Sequence, residues 1–362
     1  MPRLELRHAS GVTKIHIESA ALEASLAELE PWFEDRCVFV VTSPKVWSLH
    51  GAKMTQIESA ASRWYVLDVP DGEPAKTLRV ATSLWEKMVE LRGHRDSRIV
   101  AFGGGSVGDV AGFVAACFLR GVEFIQIPTT LLAQVDAAIG GKTGVNLPTA
   151  KNCVGRLHHP KAVICDVDLL SSLSPRQLRS GLVEAIKIAA LFDVDLLSQI
   201  ESEFSEILAA EAAALIPLVA GAAGLKAMVV EADAEDNDTR RLLNFGHTLG
   251  HALEAAGNFD ELNSDVLSHG EAVAYGMLFA LRLAHPRGFD RAEAGRMQSL
   301  LHRLSLPELP RLDIDRLLRF IRVDKKAGES TQAWALPTRL GCGKMVTGIE
   351  ESEIRTTLKS FL

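Results

Sequence analysis

Two histidines stand one helical turn apart in Asn244-Phe245-Gly246-His247-Thr248-Leu249-Gly250-His251-Ala252-Leu253-Glu254, and a third opens Ser268-His269-Gly270-Glu271-Ala272-Val273. Imidazoles at i and i+4 share a helix face. Two imidazoles and one carboxylate, with coordination positions left open, are a common ligand set for a catalytic divalent metal, Zn2+ first among candidates. An HxxxH pair alone says little. The second histidine element, again a polar residue leading into an apolar helix, gives it weight. A different kind of signal lies in Gly181-Leu182-Val183-Glu184-Ala185-Ile186-Lys187-Ile188-Ala189-Ala190-Leu191-Phe192. This stretch is apolar on every helical face and should be buried, yet it carries Glu184 and Lys187 on one side. Burying an unpaired charge is expensive. Either the two form a buried ion pair, or Glu184 holds a cation and Lys187 an anionic ligand in one site. The remaining histidines, among them His158 and His159, read as surface or core residues.

Other cations also sit in apolar or glycine-flanked settings. Arg120 follows Ala115-Ala116-Cys117-Phe118-Leu119, Lys142 stands in Ile139-Gly140-Gly141-Lys142-Thr143-Gly144, a glycine-flanked turn, and Lys151-Asn152 precedes Cys153-Val154-Gly155. Upstream, Ile99-Val100-Ala101-Phe102 runs into Gly103-Gly104-Gly105-Ser106-Val107-Gly108-Asp109. This is G-x-G-x-x-G between an expected strand and an expected helix, the context in which backbone N–H groups and a helix N-terminus receive a phosphate. The acidic residue that usually follows ~20 positions later for a ribose is missing in its ordinary form. A dinucleotide here would bind in a variant of the Rossmann scheme.

The elements that must position these groups come in two textures. Short β-branched runs at Val38–Thr42, Ile99–Phe102, Phe124–Pro128 and Ala162–Cys165 alternate with helical patterns such as Thr77–Leu91 and Val107–Phe118. That alternation predicts a parallel sheet with crossover helices. From Ser174 the segments are long, Ala- and Leu-rich and helical, and only Gln332–Leu336 and Lys344–Val346 hint at strands. The expected architecture is therefore an α/β N-terminal Rossmann-like domain, residues 1–170, and a mainly α-helical C-terminal domain, residues 171–362.

Composition narrows the partners. The 362 residues are 47% hydrophobic and 23% charged, with a net charge of −7. Such a chain buries a substantial core, and its acidic balance lowers nucleic acid as a partner. An anionic substrate must then be met by a local cluster of cations. The five cysteines form no CxxC, which fits reduced thiols. No signal-like h-region is seen at the start. The longest uncharged stretch, Ala212–Leu225, ends at Lys226, short of the ~20 residues of a membrane span. A cytoplasmic protein with no membrane partner is expected.

In this order the motifs resemble the 3-dehydroquinate synthase family of sugar phosphate cyclases. The resemblance is carried by Gly103–Asp109, Pro128-Thr129-Thr130-Leu131-Leu132-Ala133-Gln134-Val135-Asp136, Gly140–Asn146, Lys151-Asn152, Gly181–Lys187, the two-histidine helix and His269–Val273. It implies a Rossmann-like domain and a helical domain with the site between them. The implied activity converts 3-deoxy-D-arabino-heptulosonate 7-phosphate into 3-dehydroquinate and phosphate, with NAD+ regenerated in each cycle and one Zn2+ or Co2+. The resemblance further implies Glu184, His247 and His269 as metal ligands. Arg120, Asp136, Lys142, Asn152, Lys187, Lys226, Arg240, Asn244 and His251 would line the substrate pocket, with one of Lys325 and Lys326. Glu73, Lys76, Gly104, Gly105, Ser106, Asp109, Thr129, Thr130, Leu132, Asp136, Lys142 and Lys151 would serve NAD+. A homodimer is implied as well.

The chain departs from the family pattern at Ala137, usually Ser, at Leu157, usually aromatic, at Gln177, often Glu, and at Ser43, often Asp or Asn. The link Gly257–Ser268 also looks longer than usual. Other readings are a cyclase making aminodehydroquinate, an inosose or a valiolone, a related metal-dependent polyol or alcohol dehydrogenase, and a catalytically dead NAD-binding scaffold. The intact dehydroquinate-type set favours the first-named reaction.

Overall fold

The apolar runs bounded by Gly, Pro and Asp become the interior strands of one sheet. The structure, a computed structural model, describes residues 3–148, 150–257, 267–309, 311–323 and 332–362. The strands in chain order are β1 (Arg3–His8), β2 (Gly11–Glu18), β3 (Cys37–Thr42), β4 (Arg63–Asp68), β5 (Arg98–Gly103) and β6 (Glu123–Pro128). A separate hairpin of β7 (Lys142–Leu147) and β8 (Ala150–Leu157) precedes β9 (Ala162–Asp166). The sheet runs β1-β2-β9-β6-β5-β3-β4 and is parallel throughout except for the antiparallel β1–β2 edge. Every residue of β3 and β9 is buried, as a strand covered on both faces requires.

Alternate residues of these strands feed two cores. Phe39, Val41, Ile99, Ala101 and Phe124 pack with the helices Leu78–Glu90 and Gly105–Cys117 on one face. Val38, Val40, Val100, Phe102, Ile125, Ile127 and Ile164 pack with the helix Ala21–Phe33 on the other. Thr77 caps the helix Leu78–Glu90 by accepting a hydrogen bond from Val80 N, so the pattern read over Thr77–Leu91 ends within a residue of the real helix. The expected glycine-flanked turn around Lys142 resolves into two parts. Gly140 and Gly141, with φ of 100° and 68°, make the turn, and Lys142 opens β7.

The chain divides into two compact units, residues 1–178 with 205–234, and residues 179–204 with 235–362. The expected division at residue 170 lies near the first crossing. The helix Ala212–Ala232 belongs with the first unit and packs against β1 and β2. At 21 residues it is long and apolar enough to cross a membrane by length and composition, and 56% of its apolar window is buried in the fold. The uncharged stretch ends at Lys226, but the helix does not, because Lys226 is buried against Asp136.

The second unit is mainly helical, with one antiparallel pair, β10 (Ala333–Arg339) and β11 (Cys342–Thr347), where the tail hinted at strands. Its helices His247–Gly257 and His269–Ala284 approach closely. A Cβ on Gly276 would lie 1.8 Å from the Gly246 carbonyl oxygen, and one on Gly246, whose φ is +81°, would lie 2.6 Å from the Val273 oxygen. Only glycine permits that contact.

Candidate active site

Helix geometry brings the metal-ligating residue types together in the second unit. Glu184, His247 and His269 each offer a ligand atom within 4.8 Å of the others. Glu184 comes from the helix Pro175–Phe192, and the two histidines open the helices His247–Gly257 and His269–Ala284. The second of these starts is fixed by a capping box. Ser268 Oγ accepts from Glu271 N, and the Glu271 carboxylate accepts from Ser268 N at 2.7 Å, which satisfies two otherwise orphaned donors. Ser180 Oγ accepts from Gly270 N at 3.1 Å and ties that start to the Glu184 helix. A Cβ on Gly270 would lie 2.5 Å from the Ser180 Cα.

Both imidazoles turn Nε2 toward the carboxylate. Glu184 Oε1 lies 3.4 Å from His269 Nε2 and 3.8 Å from His247 Nε2. The other ring nitrogens are held from behind, His247 Nδ1 at 3.3 Å from the Phe245 carbonyl oxygen and His269 Nδ1 at 3.5 Å from Glu254 Oε2. A backbone carbonyl or carboxylate behind the ring is how ligating histidines are oriented. Both oxygens of Glu184 are buried without a well-directed hydrogen bond, although Lys187 Nζ stands 2.5 Å from Oε2. A buried anionic oxygen between two Nε2 atoms suits a divalent cation. The residues present fit the metal.

The electrostatics agree. Burial opposes the charge of Glu184, but Lys187, His247 and His269 together hold it well below the ordinary carboxylate range. Burial, helped by the Lys187 ammonium, pushes His247 down to about 3, leaving a neutral ring that can donate a lone pair. Burial also disfavours charge on His269, yet the neighbouring carboxylates of Glu184 and Glu254 raise it to about 10. The His251 ring lies 5.2 Å from that of His247, centroid to centroid. Arg240, buried, and Asn244 lie on the 3-10 helix Thr239–Asn244 that leads into His247.

The first unit holds the nucleotide-type residues. Gly103 ends β5, and the helix Gly105–Cys117 starts two residues later. A Cβ on Gly108 would lie 2.5 Å from Gln126 Oε1 of β6, and one on Gly105 3.0 Å from the Ala137 Cβ, so the glycines let helix, sheet and loop close on one another. Thr129 N donates to the Gly103 oxygen, and Thr130 Oγ1 accepts from Ala133 N. Gly104, Ser106, Thr129, Thr130 and Leu132 thus cluster at the carboxyl ends of β5 and β6, where ligands bind in open α/β sheets.

Beside them runs a polar chain. Lys76 Nζ reaches Asp109 Oδ2 at 2.7 Å and Asn152 Oδ1 at 2.6 Å, and stands 4.0 Å from Glu73 Oε1. Burial raises the Asp109 carboxyl, and the Lys76 ammonium partly offsets this. Asp136, in the π-helical turn Ala133–Ala137, meets Lys226 Nζ at 2.6 Å. Lys142 and Lys151 lie on the β7–β8 hairpin.

Arg120 is placed elsewhere. The 13-residue helix Gly105–Cys117 leads away from the loop, about 20 Å at 1.5 Å per residue, and Arg120 follows it in the left-handed region, φ 70°. Within its own unit it therefore does not lie beside the glycine loop. Lys325 and Lys326, and most of the link after Gly257, lie outside the described residues.

Among the departures, Ser43 caps the helix Pro44–His50 and donates to Asp71 Oδ1 at 3.1 Å. Gln177 Oε1 accepts from Ser174 N and Oγ, and Leu157 is exposed. The sequence reading assigned no role to Glu254 or Ser180. Glu254 was legible as the carboxylate at i+7 from His247 on the same face, whereas the Ser180 contact depends on helix packing.

Residues 66–180 match the family 3-dehydroquinate synthase N-terminal, and residues 181–327 match 3-dehydroquinate synthase C-terminal. The chain is 41% identical over 327 residues to the 3-dehydroquinate synthase of Solibacter usitatus (strain Ellin6076), covering 90% of each. Among solved structures it is similar to 2-deoxy-scyllo-inosose synthase complexed with carbaglucose-6-phosphate, NAD+ and Co2+. That match has a TM-score of 0.89 and 24% identity over 99% of this chain and 100% of that one. It is also similar to ValA, the 2-epi-5-epi-valiolone synthase of Streptomyces hygroscopicus subsp. jinggangensis 5008 with NAD+ and Zn2+ bound, at a TM-score of 0.87 and 27% identity over 98% of each chain. With a metal-type cluster in one unit, a glycine-rich strand-to-helix loop in the other, and both family regions matched in sequence order, the chain belongs to the 3-dehydroquinate synthase family.

Proposed function

We propose that this chain converts 3-deoxy-D-arabino-heptulosonate 7-phosphate into 3-dehydroquinate and phosphate, a step of the shikimate pathway toward chorismate and the aromatic amino acids. The observation that carries the reading is the meeting of Glu184, His247 and His269 beside the buried Lys187. Such a group serves a metal next to an anionic ligand. When bound, a divalent ion, Zn2+ or Co2+, supplies Lewis acidity toward a hydroxyl and a ketone, and NAD+ supplies the hydride acceptor that no side chain can replace.

The chain's own residues bind and orient. Glu184, His247 and His269 hold the ion, and Glu254 and the Phe245 carbonyl keep the two rings turned toward it. Lys187, Arg240, Asn244 and His251 from the second unit, with Lys142, Asn152, Asp136 and Lys226 from the first, supply charge and hydrogen bonds for a substrate with a phosphate and a carboxylate. An acidic protein must concentrate its cations in this way. Glu73, Lys76, Lys151 and Asp109, with the Gly104–Ser106 backbone, Thr129, Thr130 and Leu132, serve NAD+. This assigns NAD+ to residues 1–170, and the metal and much of the substrate to residues 171–362. Orientation and charge stabilisation are the enzyme's main contributions. A cytoplasmic homodimer belongs to the same proposal; the five free cysteines fit a reducing compartment.

The test mixes purified protein, NAD+, Zn2+ and the heptulosonate phosphate, and follows phosphate and the NADH absorbance together. Phosphate and carbocyclic product in equal amounts, with no NADH accumulating, is the expected result. Net NADH would indicate a dehydrogenase, and turnover only with another sugar phosphate would move the chain to a different cyclase branch.

A further inference from the structure

The hairpin that carries Lys142, Lys151 and Asn152 is irregular at one point. Val145 pairs with Val154 and Leu147 with Ala150, so Lys151, Asn152 and Cys153 together face the single residue Asn146. A bulge of this kind re-aims side chains and leaves backbone groups outside the ladder. Asn152 sits in it with φ 55°, a left-handed conformation that asparagine tolerates and most residues avoid.

The released Asn152 N–H goes to the Asn146 side chain, whose Oδ1 accepts it at 2.9 Å. The other end of that amide, Nδ2, donates to Glu73 Oε2 at 2.6 Å. An ionised carboxylate only accepts, so Glu73 fixes which way the amide points and thereby keeps the oxygen facing Asn152. The Asn146 backbone is held too, its N–H donating to the Lys76 oxygen at 2.7 Å. Lys76 Nζ closes the loop by donating to Asn152 Oδ1. Asn152 is therefore clamped twice, at its backbone by Asn146 and at its side chain by Lys76.

We infer that Asn146 is a positioning residue for the reaction: its amide holds the 151–153 bulge in the one conformation that presents Asn152 to the sugar phosphate. The inference rests on the reading of Asn152 as a substrate contact. Asparagine is required because the position needs an acceptor on one side and a donor on the other. Alanine supplies neither, and aspartate would set a carboxylate against Glu73.

The test has a kinetic arm and a structural arm. Asn146→Ala should lower kcat/KM for the heptulosonate phosphate about tenfold or more, the scale of two lost hydrogen bonds, one of them to a charged group. Bound metal should stay at the wild-type level. Asn152→Gly removes the side chain while keeping the left-handed backbone accessible. In that background Asn146→Ala should cost less than about threefold, because a residue that acts through Asn152 has nothing left to position. Asn146→Asp should be harmful as well, because it sets a carboxylate against that of Glu73.

In the structural arm, the Asn152 amide of Asn146→Ala should exchange with deuterium at least about tenfold faster than in wild type, with the rest of β7 unchanged. Equal exchange rates, or fully additive kinetic losses in the Asn152→Gly background, would overturn the inference. Wild-type protein without turnover would instead overturn the reading of the reaction, and the exchange measurement would still decide whether Asn146 holds the bulge.

Discussion

Lys187 Nζ lies 2.5 Å from Glu184 Oε2, one helical turn away, with the two side chains 4% and 1% exposed. The opposite oxygen of the same carboxylate faces the two imidazoles. The two readings of this pair therefore coexist: Glu184 is at once half of a buried ion pair and a candidate metal ligand. The ammonium lowers the carboxyl, and the carboxylate in turn makes a buried lysine tolerable.

Glu184→Gln keeps the shape and removes the charge. It leaves Lys187 buried without its carboxylate, so stability should fall by about 3 kcal/mol, read by urea unfolding, and bound zinc should drop below a tenth of wild type. Lys187→Met should retain zinc and lose turnover. A Glu184→Gln protein as stable as wild type would show that the pair carries no such weight.

The metal-free site should hold a proton. His269 is raised to about 10 by its carboxylate partners against the effect of burial, so below that pH its ring is charged and a divalent ion must displace the proton. The groups facing it are Glu184, Glu254, His247 and His251. Zinc affinity should accordingly increase as pH rises toward 10, and binding at pH 7.5 should release close to one proton per ion into a weakly buffered solution. In the apo protein NMR should find the His269 ring titrating far above 6.5, and Glu254→Gln should bring it down. A metal-free ring titrating near 6.5 would contradict this.

A second histidine bears on acid stability. His16 in β2 is 2% exposed, and its Nδ1 is buried without a hydrogen bond. Burial lowers its pKa, with Arg3 and Lys14 adding to the shift and Glu28 and Glu18 opposing it. The folded ring takes up its proton at lower pH than the unfolded one, whose ordinary value is about 6.5. The stabilisation is thus complete above pH 6.5 and declines as pH falls below it, by at most about 1.4 kcal/mol per pH unit for one group. Unfolding curves at pH 7.5 and 5.5 should show the decline, and His16→Leu should flatten it. An equal slope in both proteins would locate the acid sensitivity elsewhere.

The central strands were legible because both faces are buried, which leaves uninterrupted apolar runs such as Val38-Phe39-Val40-Val41. The strands β1, β2, β4, β7 and β8 were not anticipated. β1 and much of β2 alternate apolar with polar residues, β4 at the opposite edge is mostly half-buried, β7 is interrupted by glycine and polar residues, and β8 is almost wholly exposed, so none shows that run. Glu184 and Lys187 announced themselves by being charged in an apolar helix. Ser180 and Asn146 gave no such sign, since each acts on a neighbour brought close by folding, Gly270 and Asn152, whereas Glu254 shows in the sequence only through its spacing from His247. Arg120 shows the converse. Its motif context was clear, yet the direction of the helix before it carries it away from the glycine loop.

The central claim is that one divalent ion is bound by Glu184, His247 and His269. Anomalous scattering at the zinc edge from crystals of the zinc- and NAD+-loaded protein tests it most directly. A single strong peak within about 2.3 Å of a Glu184 oxygen and one nitrogen from each of the two imidazoles is the predicted result. A fully loaded, active enzyme whose peak lies on other residues would contradict it.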